Sequence, residues 1–173
     1  LLKINSIDIY YIASNHASHA DYALRLVPKC RAIYIEKPIA VNLKDLFNLI
    51  SRIKTSEVYV GYNRPHSYFS KIVSDVVDTS CPISLSCFVS GHFIPTDHWY
   101  RLPTEGTRIC GNMGHWIDFF IFLLGSRIDD INVINIAIIP SNILACDDNV
   151  TVVITTDLDD ICTIHLGARS EPF

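Results

Sequence analysis

The first third of the chain alternates between short apolar runs of β-forming residues and amphipathic helical stretches. Strands are predicted by IDIYYIA, AIYIE and VYVGYN, and helices by the stretches between them, HADYALRLVPKC and VNLKDLFNLISRIKTS. A strand that is apolar on both faces is typical of a parallel sheet covered by helices. Because a βαβαβ order needs right-handed crossovers, this part of the chain predicts a parallel three-stranded sheet.

Polar residues precede both predicted helices. The Ser and Asn residues of SNHAS come before the first helix, and Asn42 comes before the second. Their side-chain oxygens can accept hydrogen bonds from the free N–H groups of a first helical turn, so we expect them to act as N-caps.

The pattern changes after Asn63, and a boundary between two domains is predicted near residues 63–66. SYFSKIVSDVVD predicts a helix whose inner face carries Phe69, Ile72, Val73 and Val76 or Val77. ISLSCFVSGHF alternates with period two, which favours a long antiparallel strand. RICGNMGHWIDFFIFLLG predicts an apolar helix ending at Gly125, and INVINIAII, NVTVVITTD and ICTIHLGA predict strands with a hairpin turn at LDD. This half is expected to be α+β with a mostly antiparallel sheet.

Composition limits the possible partners. Hydrophobic residues make up 49% of the 173 residues, enough for a packed core, whereas charged residues make up only 18%. So low a charge content suggests surface that is covered by another subunit or by chain that this sequence lacks. The net charge of −4 and the lack of a basic stripe argue against a nucleic-acid partner.

The 6 cysteines lie far apart, and no C-x-x-C pair occurs. This spacing fits neither a zinc site nor a disulfide framework, so we expect mostly buried, reduced thiols. Reduced thiols and a start without a signal peptide predict a cytoplasmic location. The apolar run WIDFFIFLLG is interrupted by Asp118 and is too short for a membrane span, so no membrane partner is expected.

Polar residues follow each of the three predicted parallel strands. The pairs are Asn15 and His16, Glu36 and Lys37, and Asn63 and Arg64. Ligands of open parallel sheets bind beyond the carboxyl ends of the strands, so these side chains predict one binding edge. Pro38 restricts the backbone beside Lys37 and so places a cation next to the ligand. The alternative is a solvated turn in which Glu36 and Lys37 are an ordinary surface charge pair.

Four segments, in order, resemble the glucose–fructose oxidoreductase / inositol dehydrogenase (Gfo/Idh/MocA) family. IDIYYIASNHASHADYALRLVPKCRAIYIEKPIAVNLKDL is similar to the second half of the family's dinucleotide-binding domain, with a strand that ends in Glu-Lys-Pro. VYVGYNRPHSYFSKI resembles the next strand and the start of the second domain. EGTRICGNMGHWIDFFIFLLG resembles a glycine-rich segment that leads into His-x-x-Asp, and DDNVTVVITTDLDDICTIHLGA resembles paired strands of the C-terminal sheet.

The resemblance implies an α/β fold made of the C-terminal half of a Rossmann domain (residues 1–64) and a partial α+β domain for substrate binding and oligomerisation (residues 65–173). The chain lacks an initial Met and stops soon after a strand, so we expect truncation at both termini. The activity implied is that of an NAD(P)-dependent oxidoreductase, with NAD or NADP as cofactor and a sugar, polyol or related carbohydrate derivative as substrate. Homo-oligomerisation through the C-terminal sheet is expected by analogy.

The resemblance also assigns roles to residues. Lys37 would lie beside the nicotinamide and the reacting oxygen, where an ammonium stabilises a developing alkoxide. Its bond to Pro38 is commonly cis in the family. The cofactor would contact Ser14, Asn15, His16, Glu36, Lys37, Pro38 and Asn63.

The second catalytic role maps onto His115, at the start of the apolar helix, with Asp118 one turn later. A neutral imidazole is a suitable general base near neutral pH. The alternative is a core histidine that is hydrogen-bonded to Asp118. The substrate would contact Lys37, Trp99, Asn112 and His115.

The sequence departs from the family in two places. Many members carry Asp four residues before the histidine, where this chain has Gly111; its neighbour Asn112 can hydrogen-bond a hydroxyl but cannot accept a proton. No G-x-G-x-x-G precedes the first strand, so neither the phosphate loop nor the residue that selects NAD or NADP is present.

Two other groupings allow more than one interpretation. His92, His98 and Trp99 in GHFIPTDHWYR could line a substrate pocket or pack as a loop on the sheet. His16 and His19 form an H-x-x-H pair without a third ligand at a usable spacing, so no metal is expected.

Two alternatives to an enzyme also remain. Gly111 favours a non-catalytic descendant that senses a dinucleotide or binds a protein partner. The other alternative is an inactive fragment.

Overall fold

A computed structural model describes residues 8–53, 57–140 and 148–167 of the chain. The chain divides into two compact units. The first unit comprises Leu1–Tyr62 and Asp97–Gly111, and the second comprises Asn63–Thr96 and Asn112–Phe173. The first unit therefore receives a short segment from the middle of the chain, residues 97–111, which we call the return segment.

The first unit is built on a parallel sheet with the strand order β1-β2-β3. Its elements are β1 (Ile9–Ile12), α1 (His19–Leu26), β2 (Ala32–Ile35), α2 (Leu43–Arg52) and β3 (Glu57–Val60). Fully buried side chains of Ala23, Ile33, Ile35 and Leu49 form the centre of its core. The predicted parallel βαβαβ arrangement is confirmed.

The last residues of the three parallel strands lie in the same row of the sheet. Ile12, Ile35 and Val60 pair in one row across the sheet. The ladder continues for one step, since Glu36 N donates to Ile12 O at 2.8 Å and Gly61 N donates to Ile35 O at 2.7 Å. The segments that follow the strands therefore begin at the same edge of the sheet, as the sequence predicted.

One of the expected helix caps is confirmed and the others are wrong. Asn42 Oδ1 accepts a hydrogen bond from Asp45 N at 2.9 Å, which is the contact of an N-cap. Asn15 and Ser18 occupy the positions before the next helical turns, but neither side chain makes a cap hydrogen bond. Asn15 instead binds a residue of the return segment.

The second unit joins two helices to a four-stranded sheet. Its elements are α3 (Tyr68–Val76), β4 (Ser84–Ser90), α4 (Gly114–Leu124), β5 (Val133–Pro140), β6 (Asn149–Thr156) and β7 (Ile161–Gly167). The sheet order is β4-β7-β6-β5. As predicted, α4 is followed by Gly125, with a φ of 58°, and a tight turn joins β6 to β7.

The prediction of an antiparallel β4 is wrong. This strand pairs with β7 in parallel, whereas the β5–β6 and β6–β7 pairs are antiparallel, so the sheet is mixed. Period-two alternation indicates that one face of a strand is buried. Parallel and antiparallel strands both show this alternation. The direction of β4 depends on which strand it pairs with, and the local pattern carries no information about that.

The predicted inner face of α3 is also wrong. Phe69 and Val76 are 76% and 77% exposed, and Ile72 and Val73 are exposed as well. On α2, the apolar residues Leu43, Phe47 and Ile50 are likewise exposed. Helical periodicity identifies an apolar stripe but does not say whether another element covers it.

Five of the cysteines lie in the described residues, and these five are free thiols; Cys146 lies outside the described residues. Cys87 and Cys162 are buried, Cys30 and Cys110 are half-buried, and Cys81 is exposed. Burial, together with the neighbouring Cys87, raises the pKa of Cys162 to about 12, so this thiol stays protonated.

Within the described ranges, every helix falls short of the length and apolar character that a bilayer crossing requires.

Asp160 connects three parts of the second unit. Its buried carboxylate accepts hydrogen bonds from Ile83 N at 2.7 Å, from the Thr156 hydroxyl at 2.8 Å and from Arg127 Nη2 at 3.0 Å. Arg127 also donates to the Cys81 carbonyl at 2.8 Å. The start of β4, the β6–β7 hairpin and the turn after α4 are therefore joined by one side chain.

We expect Asp160→Ala to lower the free energy of unfolding by about 3 kcal/mol, because it leaves a buried N–H group and Arg127 without their acceptor. Urea unfolding followed by circular dichroism measures the loss. Asp130→Ala removes an exposed aspartate and should stay within about 0.5 kcal/mol of the unsubstituted chain. Equal, small losses for both variants would contradict the role of Asp160.

Candidate active site

Lys37 lies in the turn after β2, and its peptide bond to Pro38 is cis. The side chain is half-buried, and its Nζ donates a hydrogen bond to the Gly111 carbonyl at 2.8 Å. Gly111 is the last residue of the return segment. The return segment therefore fixes the ammonium at the carboxyl end of the parallel sheet.

His19 ties the ends of two strands together. Its ring is fully buried, with Nδ1 2.7 Å from the Pro38 carbonyl oxygen and Nε2 2.9 Å from the Ser14 carbonyl oxygen. The imidazole thus bridges the segment after β1 and the turn that carries Lys37. Its place is structural, and among the described residues no group of three or more metal-ligating side chains could hold an ion.

Glu105 anchors the return segment on the segment after β1. Its buried carboxylate accepts hydrogen bonds from Asn15 Nδ2 at 2.7 Å and from Ala17 N at 3.0 Å. It thereby caps the helical turn His16–Ser18, which the Asn15 side chain leaves uncapped. Burial alone would raise the pKa of Glu105, but the two N–H bonds and the nearby His16 hold this pKa below its ordinary value.

His16 is a neutral imidazole at neutral pH. Burial, with smaller contributions from the charges of Lys37 and His19, lowers its pKa, against the opposing effect of the Glu105 backbone. Nδ1 lies 3.0 Å from the Glu105 carbonyl oxygen, which can only accept, so the ring proton is on Nδ1.

Two aromatic rings of the return segment pack edge-on against His16. The ring centroids of Trp99 and Tyr100 lie 5.3 and 5.1 Å from that of His16, at interplanar angles of 79° and 75°. Trp99 is 44% exposed, and Tyr100 is half-buried. His98 caps the short helical turn Trp99–Arg101, since its Nδ1 accepts a hydrogen bond from Tyr100 N at 3.2 Å.

Gly111 has no room for a side chain. A Cβ built on it would overlap the hydroxyl oxygen of Tyr100 and come within 2.7 Å of Tyr100 Cζ and 3.5 Å of His16 Cε1. Glycine is therefore required at this position while Tyr100 occupies the space. The Tyr100 hydroxyl thus occupies the space into which the aspartate implied by the family resemblance would extend.

The remaining first-unit candidates lie at the same strand ends. The Glu36 carboxylate lies beside Gly61, the residue after β3, because a Cβ on Gly61 would lie 3.0 Å from Glu36 Oε2. Ser14 is exposed, and its hydroxyl lies 2.6 Å from that of Ser18. The first unit thus brings together Ser14, Asn15, His16, Glu36, Lys37, Pro38 and Trp99.

The other candidates, Asn63, Asn112 and His115, belong to the second unit. His115 is half-buried in the first turn of α4, with Asp118 one turn later. Burial raises the pKa of Asp118, and the charge of His66 opposes this shift. On the same helix, the Trp116 ring lies 5.2 Å from the guanidinium of Arg64, a cation–π distance.

Sequence reasoning missed Glu105 and Tyr100. Glu105 lies in an irregular segment without periodicity, and its one sequence signal is a carboxylate among aromatic and apolar residues. Tyr100 is adjacent to Trp99, which was predicted at the substrate. Both rings pack on His16, and nothing in the sequence indicates that the Tyr100 hydroxyl lies against Gly111.

A protein-family model of an oxidoreductase family with an NAD-binding Rossmann fold matches residues 1–64. Oxidoreductase P35 of Formosa agariphila is 33% identical over 75 residues, which are 42% of this chain and 23% of that protein.

Solved structures match along almost the whole chain. An NAD-binding protein from Listeria innocua superposes with a TM-score of 0.80 and 23% identity over 99% of this chain and 52% of its own. Myo-inositol dehydrogenase from Lactobacillus casei, crystallised with NAD(H) and myo-inositol, gives a TM-score of 0.77 and 17% identity over 96% of this chain and 50% of its own. These matches show the fold, and the chain spans about half the length of both structures.

We expect Glu105→Gln to lower the melting temperature at pH 7 by about 3 °C, the effect of roughly 1 kcal/mol in a chain of this size. In the glutamine variant, an N–H donor replaces one carboxylate oxygen, whereas Asn15 Nδ2 and Ala17 N both need an acceptor there. Because the folded pKa of Glu105 is depressed, its contribution is complete above the ordinary glutamate pKa and is lost as the pH falls through the lower, folded value. The difference between the two proteins should therefore shrink from pH 5 toward about pH 3 in thermal unfolding.

Asp97→Asn changes an exposed carboxylate in the same segment and is the matched control, with an expected change in stability within about 0.5 kcal/mol at pH 7. A difference for Glu105→Gln that is constant with pH would contradict the assignment.

Proposed function

We propose that this chain, whose residues 1–64 match the model of an oxidoreductase family with an NAD-binding Rossmann fold, is a member of the Gfo/Idh/MocA family and acts as an NAD(P)-dependent dehydrogenase or reductase. The proposed reaction moves a hydride between NAD or NADP and a sugar, polyol or related carbohydrate derivative. The observation that carries the proposal is the place of Lys37, whose ammonium is fixed at the carboxyl edge of the matched sheet by the Gly111 carbonyl, 2.8 Å away.

The residues at this edge suit the nicotinamide end of a dinucleotide. Ser14 is exposed there, His16 is neutral and Lys37 is half-buried. The pyrophosphate needs a glycine-rich loop at a helix N-terminus, and this sequence contains no such loop. When bound, the cofactor supplies or accepts the hydride. The residues proposed to line its nicotinamide end are Ser14, Asn15, His16, Glu36, Lys37, Pro38 and Asn63.

Lys37 and His115 are proposed to act on the reacting oxygen of the substrate in different ways. The Lys37 ammonium polarises a carbonyl oxygen, or stabilises the alkoxide that forms from a hydroxyl. His115 exchanges the proton of that oxygen, a role for which a neutral imidazole is suited. Trp99 and Asn112 are proposed to bind the substrate.

A polyhydroxylated substrate is favoured by two observations. The indole of Trp99 is 44% exposed beside His16, and aromatic faces suit the apolar faces of sugar rings. The Lactobacillus casei structure that shares this fold is a myo-inositol dehydrogenase with myo-inositol bound.

We expect Lys37→Met in the whole protein to reduce kcat by about 10²–10⁴, because methionine keeps the length of the side chain but loses the charge and the donors. Formation of reduced nicotinamide, followed by absorbance with a panel of sugars and polyols and with NAD and NADP, measures the loss. Lys44→Met changes an exposed lysine on α2 and should leave kcat unchanged. A loss below tenfold for Lys37→Met would remove this residue from the chemistry, and no turnover by the unsubstituted protein would favour a non-catalytic role.

We also propose the cytoplasm as the location of the protein. The cysteines at positions 30, 81, 87, 110 and 162 are free thiols, which reducing compartments maintain.

A second copy of the chain is proposed to pack on the outer face of the four-stranded sheet. One row of paired residues crosses all four strands on this face: Phe88, His165, Thr151 and Ile139. Phe88 is 81% exposed and stacks on His165 at 4.8 Å between centroids, and Ile139 is 59% exposed. Exposed aromatic and aliphatic side chains grouped in this way favour a contact surface. The same face of a second sheet can cover them by two-fold symmetry.

We expect Phe88→Glu to reduce the mass of the protein in solution from that of a dimer, or a multiple of it, to that of a monomer, because it buries a charge in the proposed contact. Size-exclusion chromatography with light scattering measures the mass. Leu158→Glu, at the exposed β6–β7 turn, should leave it unchanged. An unchanged mass for Phe88→Glu would exclude this face as the interface.

A further inference from the structure

The hydroxyl of Tyr100 occupies the space that a side chain at position 111 would need. A Cβ on Gly111 would overlap that oxygen, so the hydroxyl lies directly against the Gly111 Cα. The family resemblance implied an aspartate at this position. In this chain, a polar group is present in the same space, but a different residue supplies it.

Gly111 also holds the ammonium of Lys37. Its carbonyl oxygen accepts the bond from Lys37 Nζ at 2.8 Å, while its Cα faces the Tyr100 hydroxyl. The amine and the phenol therefore meet at one residue of the return segment. Lys37 is held by its bond to the Gly111 carbonyl, and the Tyr100 ring packs on His16, with 5.1 Å between the ring centroids.

We infer that Tyr100 is a further catalytic residue, whose hydroxyl donates a hydrogen bond to the reacting oxygen beside Lys37. This inference rests on the proposed hydride-transfer function. A carboxylate in this space can only accept hydrogen bonds when ionised, and it repels a developing alkoxide. A phenol donates, so Tyr100 and Lys37 together place two donors at the oxygen on which negative charge develops.

The positions of Tyr100 and Gly111 depend on each other. Tyrosine can fill this space only where residue 111 has no side chain, and the half-buried ring packs against a neutral imidazole. The absence of the expected aspartate is therefore compatible with catalysis. Donation by Tyr100 also needs no proton transfer, which the proposal assigns to His115.

The first test is Tyr100→Phe in the whole protein, which removes one oxygen and keeps the ring that packs on His16. We expect kcat to fall by about 10²–10³, the effect of losing one donor to a developing oxyanion, with KM changing by less than about threefold. Tyr22→Phe, which removes the same atom from an exposed tyrosine on α1, should leave both constants unchanged.

The outcomes separate this inference from the proposed function. If Lys37→Met loses activity while Tyr100→Phe stays within threefold of the unsubstituted kcat, the role of Tyr100 is overturned and the proposed function stands. A rise in KM without a fall in kcat would also overturn it, because that pattern marks a residue that only binds substrate. If the unsubstituted protein turns over no sugar or polyol with either cofactor, both proposals fail.

The second test does not depend on activity. Gly111→Ala adds only a Cβ, and we expect it to lower the melting temperature by several degrees in the unsubstituted chain. In a Tyr100→Ala background the space is open, so the same change should cost much less. Equal losses in both backgrounds would show that the phenol does not occupy the space at position 111, and would overturn the inference.

Discussion

The candidate site depends on the register of the three parallel strands, whose last residues lie in the same row of the sheet. Ile12, Ile35 and Val60 share one row, so the segments that follow the strands start at the same edge. A shift of one strand by one residue would turn its side chains to the opposite face and move Lys37 away from its neighbours. The apolar core under this sheet, with Ile33 and Leu49 fully buried, makes such a shift costly.

Buried polar contacts then hold the segments at this edge in place. His19 bridges the carbonyl groups of Ser14 and Pro38, and the Glu105 carboxylate joins the return segment to Asn15 and to Ala17 N. Hydrogen bonds in a low-dielectric interior are stronger than in water, and they are costly to leave unmade. These contacts hold the Lys37 ammonium, the neutral His16 imidazole and the return segment in fixed positions, and the proposed reaction would need such pre-organised groups.

Local patterns predicted most of the fold. The alternation of apolar runs and helical stretches gave the parallel sheet, and Asn42 and Gly125 marked the ends of helices as expected. The errors concern partners that lie far away in the sequence. Period-two alternation could not tell that β4 pairs in parallel with β7, and helical spacing could not tell that Phe69 and Val76 are exposed.

The residues of the candidate site were also only partly predictable from the sequence. The order of elements along the chain was enough to place Lys37 and His16 at the same edge of the sheet, because each follows a predicted parallel strand, whereas the role predicted for Lys37 came from the family resemblance. Glu105 and Tyr100 could be recognised only from the folded chain. Asn15 and Glu105 are 90 positions apart, and their hydrogen bond exists because the return segment folds back onto the sheet edge. Long-range packing brings such groups together, and neither their residue types nor their spacing specifies it.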